Sequence, residues 1–287
     1  MGNMFPKSNN NMSAIEDDDG TNGYCLRGVY IPEDVLIILL SRVDPKQLLN
    51  CKLVCKTWNR IIKSRALWHE VCLQNNVTWK CLPWYLYYAK FATDFFDTNL
   101  IKNGNGQEKF DHWVINPVFS GDGFVIENEP SGSCPLPEDV DDFRGHKSCF
   151  ATSFGLCSKQ QVLKFKNSPF KRHIINKFKP TIIVSEWFAP RFDCSARFKL
   201  VIRVVSSHKN FNCFIKENMF EQWTEGIWEK FTLEINDYDD DIDYIVYQHD
   251  GQDGLFWKGH YGVKMAGASL KFSFDSIAEQ DISEEME

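Results

Sequence analysis

Residues 31–70 read IPEDVLIILLSRVDPKQLLNCKLVCKTWNRIIKSRALWHE and carry three short helical patterns. Pro32 suits the first turn of the first helix, and apolar side chains then recur along one stripe. Asp44 and Pro45 supply the N-cap and the first position of a second helix, after which apolar residues continue at helical spacing. A unit of about forty residues is near the lower limit for folding alone. The excess of apolar surface therefore predicts a partner protein.

Four motifs within this stretch resemble an F-box, which we place at residues 29–72. They are Ile31-Pro32-x-Asp34, Leu48 to Leu53, Val54-Cys55-Lys56-x-Trp58 and Leu67-Trp68. Ile31 stands where the usual opening residue is Leu. The resemblance implies docking on the adaptor subunit of a cullin-based SCF ubiquitin ligase, and substrate selection without catalysis. The residues expected to contact the adaptor are Ile31, Pro32, Leu36, Leu39, Leu48, Leu53, Val54, Trp58, Leu67 and Trp68. The alternative is an ordinary helical hairpin packed on the rest of the chain.

Length and composition narrow the possible functions. The 287 residues allow about two domains, and 43% hydrophobic residues can supply their cores. A net charge of −7 argues against nucleic acid or an anionic membrane as the main partner. Residues 1–28 lack a continuous apolar stretch at their start, so we expect a disordered tail rather than a secretory signal or membrane span. These features predict a cytoplasmic protein without membrane insertion.

The cysteines and acidic residues favour neither a metal site nor a cofactor site. The ten cysteines are scattered, and we expect free thiols. Cys51 and Cys55 lie one helical turn apart, but no histidine cluster completes a zinc set. Residues 237–243 are rich in Asp but lack the glycine and distal Glu of an EF-hand loop, so a solvated acidic turn is favoured. We therefore expect no metal and no cofactor.

The rest of the chain changes from helical to strand-like patterns. Residues 73–100 have aromatic residues near helical spacing and predict a helical linker. After a Gly/Asn loop, alternating apolar residues indicate strands, and residues 101–275 are best accommodated by a two-layer antiparallel β-sandwich. Residues 276–287 form an acidic tail. The fold class is thus α+β and multidomain. The main predicted strands are 112–117, 123–127, 160–165, 181–188, 198–205, 231–235, 244–248 and 268–274.

Large rings among four glycines mark residues 247–262 as a loop at one end of this sandwich. Together with Ser153-Phe154-Gly155 and Glu186-Trp187-Phe188, this loop resembles the F-box-associated domain of the sugar-recognising F-box proteins. The two resemblances cover residues 30–275. Their pairing in one chain is more specific than either motif alone.

In glycan-binding members of that family, an aromatic-Trp-Lys loop, a Phe and an Asp hold the chitobiose core of high-mannose N-glycans. The matching positions here are Phe256-Trp257-Lys258, Phe154 and Asp193. Sugar C–H groups pack on aromatic faces, and hydroxyls and acetamides need directed partners such as Lys and Asp. The chain departs from the pattern with Phe256 in place of Tyr and His260 in place of Trp. The alternative is that Trp257 plugs the sandwich end and Phe154 faces its core.

Three functions remain open at this stage. The resemblance implies an SCF substrate receptor that binds N-glycans on misfolded glycoproteins in ER-associated degradation. A receptor for a protein degron would share every feature except the use of the glycan-binding residues. A β-sandwich glycosidase would need two carboxylates flanking one pocket. Four carboxylates are candidates only by proximity in sequence: Glu186, Asp193, Asp250 and Asp253.

Overall fold

The computed structural model describes residues 22–117 and 121–278. The chain divides into two compact units, the first ending at Ala92 and the second beginning at Thr93. Within the described residues, the first unit contains one hairpin and five helices. They are β1 (Cys25–Leu26), β2 (Val29–Tyr30), α1 (Glu33–Ser41), α2 (Pro45–Cys51), α3 (Lys56–Ile62), α4 (Arg65–Gln74) and α5 (Trp84–Ala92).

Residues 31–70 were predicted to contain three helices, but four begin there. The additional helix arises because Cys55 and Ser64 each cap the start of a separate helix. Cys55 accepts a hydrogen bond from the Trp58 backbone N–H at 3.5 Å and so caps α3. Ser64 accepts one from the Leu67 N–H at 3.4 Å and caps α4. Asp44 caps α2 as predicted, with its carboxylate 3.0 Å from the Lys46 nitrogen.

The predicted helical linker is helical only in part. Helix α4 continues to Gln74, and Asn76 then adopts a positive φ of 53° that ends the helical path. Regular helix resumes only with α5. Phe96, at the end of the predicted linker, instead pairs with Phe272 of the second unit. The helical path ends because the backbone of Asn76 adopts a left-handed conformation, and the spacing of aromatic residues does not predict such a change.

Two antiparallel sheets form the second unit, so the predicted β-sandwich is confirmed. Among the described residues, one sheet has the strand order β10-β7-β12-β5-β4 and the other β3-β6-β11-β8-β9. The strands are β3 (Val114–Ile115), β4 (Val125–Glu127), β5 (Cys149–Ala151), β6 (Cys157–Lys164), β7 (Ile182–Ala189), β8 (Ala196–Ser206), β9 (Phe211–Phe220), β10 (Glu229–Ile235), β11 (Ile242–Asp253) and β12 (Lys264–Phe272). Helix α6 (Pro169–Phe178) connects β6 to β7.

The core lies between the two sheets and follows the strand alternation. Phe198, Leu200 and Ile202 of β8 are buried, as their spacing predicts. Phe188 of β7 stacks on Phe198 at 4.1 Å between ring centroids, which joins one sheet to the other. The sandwich is therefore stabilised by side chains at alternating positions along each strand, which point into the core between the sheets.

Four features of the sandwich differ from the sequence prediction, and the first is the short strand β5, which was not predicted. Strand β9 was also not predicted. It lies at the edge of its sheet, where a strand does not need a regular apolar pattern, and its polar residues interrupt the alternation from which strands are predicted. Helix α6 was also missed. The 127–147 segment was expected to be a mobile surface loop, yet Leu136 and Phe143 are buried in a cluster with Trp228. Its proline and acid content concealed these two apolar anchors.

Candidate functional site

Three connections meet at one end of the sandwich: 152–156 between β5 and β6, 190–195 between β7 and β8, and 254–263 between β11 and β12. The Asp253 N–H donates to the Ser153 carbonyl at 3.0 Å, and the Gly254 N–H donates to the Ser195 carbonyl at 2.7 Å. These bonds bring together the loops that carry Phe154, Asp193 and 256–258.

Asp253 shapes the start of the 254–263 loop. Its carboxylate accepts hydrogen bonds from the Leu255 N–H, at 2.8 Å, and from the Phe256 N–H. Phe256 adopts a positive φ of 58°, which is unusual for a bulky side chain and is sustained by these bonds. Burial raises the pKa of Asp253. Sequence reasoning had placed Asp253 only among glycosidase candidates, although an Asp-Gly pair after a strand indicates this kind of turn.

The rings of the loop are displayed to solvent. Phe256 is 68% exposed and Trp257 is 41% exposed, so Trp257 does not plug the sandwich core. The Trp257 ring contacts Tyr261 edge to face, with centroids 5.6 Å apart. Lys258 is exposed beside it. The loop thus offers an accessible aromatic face next to a positive charge.

Phe154 lies at the same end and is half-buried. Its carbonyl accepts a hydrogen bond from the Gln252 side chain at 2.8 Å, which fixes the 152–156 connection against β11. The neighbouring loop is secured on its other side, since the Gly259 N–H donates to the Asp122 carboxylate at 3.0 Å. His260 contacts the Asp122 carbonyl at 3.3 Å.

Asp193 is already engaged with a cation. Arg191 donates through Nε at 2.6 Å and through Nη2 at 3.2 Å, one bond to each carboxylate oxygen. The hydrogen bond to Asp193 raises the pKa of Arg191. The guanidinium also lies 4.7 Å from the ring centroid of Tyr261. A carboxylate has more lone pairs than this pair uses, so Asp193 can still accept from a hydroxyl group.

The carboxylates proposed for a glycosidase do not flank a common cleft. Glu186 is fully buried between the sheets, and Asp253 caps the loop. Asp250 is also buried and accepts hydrogen bonds from Gln248 at 2.9 and 3.1 Å. This arrangement differs from the two separated, pocket-facing carboxylates that glycoside hydrolysis requires.

The predicted adaptor contacts divide into core and surface positions. Four of them are at most 1% exposed and form the core of the first unit, so they cannot face an adaptor: Leu36, Leu48, Leu67 and Trp68. Leu39, Leu53 and Val54 are 47%, 84% and 62% exposed, and Pro32 is also exposed. Ile31 and Trp58 are half-buried.

Two further details refine this surface. The Trp58 indole N–H donates to the Gly23 carbonyl at 2.8 Å, so this ring secures the segment before the first helix. Val35 and Ile38 of α1 are 45% and 48% exposed, and sequence reasoning did not assign them to the adaptor surface. The sequence did not distinguish them from the buried residues of α1, because this helix is apolar on most of its circumference.

Family models match both units of the chain. An F-box-like model matches residues 29–74, and a model of the F-box associated region matches residues 91–272. Mouse F-box only protein 6 is 30% identical over 85% of this chain and 82% of its own length. The chain belongs to the F-box only protein family. Human F-box only protein 44 is a further relative of this F-box only protein, 28% identical over 84% of this chain and 94% of its own length.

A solved carbohydrate-binding module in complex with β-1,4-galactotriose aligns with a TM-score of 0.38 and 11% identity. The alignment covers 62% of this F-box only protein and 100% of the module. A TM-score this low carries no functional conclusion. Across residues 22–117 and 121–278, no helix is long and apolar enough to cross a membrane.

Proposed function

We propose that this F-box only protein is the substrate-recognition subunit of an SCF ubiquitin ligase and has no catalytic activity of its own. In this role it binds the chitobiose core of high-mannose N-glycans on misfolded glycoproteins and directs their ubiquitination in ER-associated degradation, from the cytoplasm. The F-box-like region would bind the adaptor subunit and, through it, cullin. Membership of the F-box only family supports the ligase half of this proposal.

The observation that carries the glycan half is the exposed Trp257 ring in a loop whose backbone is fixed. Asp253 holds the start of the loop, and Asp122 holds Gly259 in its middle. A ring that is already fixed loses little entropy when it packs on the C–H face of a sugar. Phe154 lies in the adjoining connection and would extend this apolar contact.

Charged groups beside the rings would orient the sugar. Lys258 is exposed next to Trp257, and Asp193 is held by Arg191 with acceptor capacity remaining. Hydrogen bonds to charged groups stabilise by roughly 1.5–3 kcal/mol each when well formed. Phe256 lacks the hydroxyl that Tyr would provide, so the proposed contact relies more on the indole face and on these ions.

Binding at the inner sugars would favour unfolded substrates through access alone. In a folded glycoprotein these sugars lie against the polypeptide. In an unfolded glycoprotein the polypeptide around the glycan is flexible, so the loops at the end of the sandwich can reach these inner sugars. The same consideration makes the chitobiose unit, rather than the outer mannose residues, the decisive ligand.

The test is calorimetric titration of the full chain with chitobiose and with a high-mannose N-glycan. Trp257→Ala should weaken both affinities by about 2 kcal/mol or more, roughly thirtyfold, because it removes the central exposed ring. The matched control is Phe211→Ala, which removes a 60% exposed ring from the far end of β9. Thermal transitions of both variants should stay close to that of the wild type.

Absence of saturable binding by the wild type to either sugar would contradict the glycan half of the proposal. That result would favour a receptor for a protein degron, since the F-box half stands on separate residues. A collapse of the thermal transition in Trp257→Ala would instead assign the ring a structural role.

A further inference from the structure

A second apolar surface lies beside the proposed glycan site. Phe192, Trp223 and Ile227 are 47%, 71% and 52% exposed, and we refer to them together as the Phe192–Trp223 surface. The two rings are tilted at 49°, with centroids 6.4 Å apart. They form no part of the proposed sugar contact. Exposed aromatic side chains grouped in this way commonly mark interaction sites.

The backbone holds this surface in place. The Trp223 N–H donates to the Phe192 carbonyl at 2.8 Å, and the Gln222 side chain donates to the Asp193 carbonyl at 3.0 Å. The 221–228 connection is thus fastened to the 190–195 connection. Trp223 has a positive φ of 72°, a conformation that bulky residues rarely adopt and that surrounding contacts must maintain. The rings are therefore presented without needing to be ordered by a ligand.

A chain of contacts joins this surface to the proposed glycan loop. Trp257 contacts Tyr261, and the Tyr261 ring lies 4.7 Å from the Arg191 guanidinium. Arg191 directly precedes Phe192 in the chain. One ligand could therefore extend from Trp257 to Trp223 across three connections that contact one another.

Composition and charge indicate what this ligand is. A sugar needs directed polar partners, whereas the Phe192 and Ile227 side chains of this surface offer none. Glu221 and Glu225 are exposed on either side of Trp223 in the sequence. An apolar surface with an acidic rim complements apolar side chains interspersed with Lys or Arg.

We propose that the Phe192–Trp223 surface binds an apolar, positively charged stretch of polypeptide adjoining the glycosylated asparagine. The glycan contact in this inference rests on the proposed function, but the peptide contact does not. The apolar side chains of such a stretch are mostly buried in folded proteins and accessible in unfolded ones. Because one covalent chain carries both ligands, two weak contacts combine into a stronger one, and the pair selects glycoproteins that are also unfolded.

The test uses the full chain and three synthetic probes: a peptide of Leu, Phe and Lys residues, the same peptide with chitobiose on a central Asn, and chitobiose alone. The test variant is Phe192→Ala combined with Trp223→Gly. Glycine is chosen because it adopts the positive φ of position 223 without strain. Phe211→Ala, which removes an exposed ring at the opposite end of β9, is the matched control.

The double variant should bind the sugar-free peptide at least about tenfold more weakly, because two exposed rings are lost. It should bind chitobiose as the wild type does. Trp257→Ala should show the reverse pattern, with weakened chitobiose binding and unchanged peptide binding. Replacing Lys by Glu in the peptide should also weaken its binding to the wild type, because the rim is acidic.

Equal peptide binding by the wild type and the double variant would overturn the inference, as would no peptide binding by the wild type. Loss of chitobiose affinity in the double variant, with peptide binding unchanged, would assign the surface to the sugar instead. Failure of chitobiose to bind the wild type contradicts the proposed function but leaves the peptide comparison intact. The two ideas can therefore fail separately.

Discussion

Asp253 shows how one buried carboxylate can set the shape of a recognition loop. It is 1% exposed, ends β11 and accepts the backbone N–H groups of Leu255 and Phe256. Those bonds hold Phe256 at its positive φ and direct the next residue, Trp257, to the surface. In the proposed glycan site, Asp253 is thus a positioning residue rather than a sugar ligand.

Replacing this carboxylate separates positioning from charge. Asp253→Ala removes the Oδ1 atom that accepts both hydrogen bonds, and we expect chitobiose affinity to fall about tenfold or more because the loop loses its fixed conformation. Asp253→Asn keeps an oxygen that can accept the same N–H groups and should bind nearly as the wild type. Calorimetric titration of both variants provides the measurement. Wild-type affinity in Asp253→Ala would show that the loop is ordered by other contacts.

At the scale of elements, β6, β7 and β11 share a buried polar network between the two sheets. Glu186 accepts a hydrogen bond from Tyr247 and lies 3.3 Å from His249 Nδ1. His249 Nε2 contacts Lys159, whose ammonium nitrogen is 3.6 Å from the ring centroid of Trp113. Burial raises the pKa of Glu186 to about 8 and lowers the pKa of both Lys159 and His249. Glu186 and His249 are therefore mostly uncharged near pH 7.

The raised pKa of Glu186 predicts a pH-dependent contribution to folding. Its pKa is about 8 in the fold against an ordinary value of 4.5. Its stabilisation is thus fully present below about pH 4.5 and is lost as the pH rises through 8. The stability of wild type relative to Glu186→Gln should fall across this interval. Urea denaturation of both proteins at about pH 5 and about pH 9 measures the difference. Parallel pH profiles would contradict a neutral Glu186.

At the scale of the whole molecule, the two units carry surfaces that we propose serve different partners. The first unit buries Leu48 and Trp68 in its own core and exposes Leu53 and Val54. The second unit exposes Trp257. Each surface is separate from the core that stabilises its unit, so each can be altered without removing the other.

The double variant Leu53→Ser, Val54→Ser should lose adaptor binding and keep chitobiose binding, because it removes exposed apolar area and leaves the core intact. Co-elution with the recombinant adaptor in size-exclusion chromatography and calorimetry with chitobiose measure the two activities. Leu73→Ser is the control, since Leu73 is 58% exposed and lies outside the predicted adaptor set. Retained co-elution of the double variant would remove these residues from the proposed interface.

The sequence predicted most of the fold wherever a local pattern reports a local conformation. The alternation of β8 identified a strand, and Asp44 with Pro45 identified the start of α2. Prediction was weaker where partners distant in sequence decide the outcome. Strand β9 depends on pairing with β8, and the 127–147 segment is held by apolar contacts of Phe143 with residues far along the chain.

By itself, the sequence determined that this chain joins a short helical F-box to an antiparallel sandwich and carries an aromatic-Trp-Lys loop, because these features are written in consecutive residues. Only the tertiary structure decided which of the chosen side chains reach solvent. It buried Leu48 and Trp68, exposed Trp257, and paired Asp193 with Arg191. Burial and pairing depend on which segments meet in space, and hydrophobic spacing along one segment does not specify what packs against it.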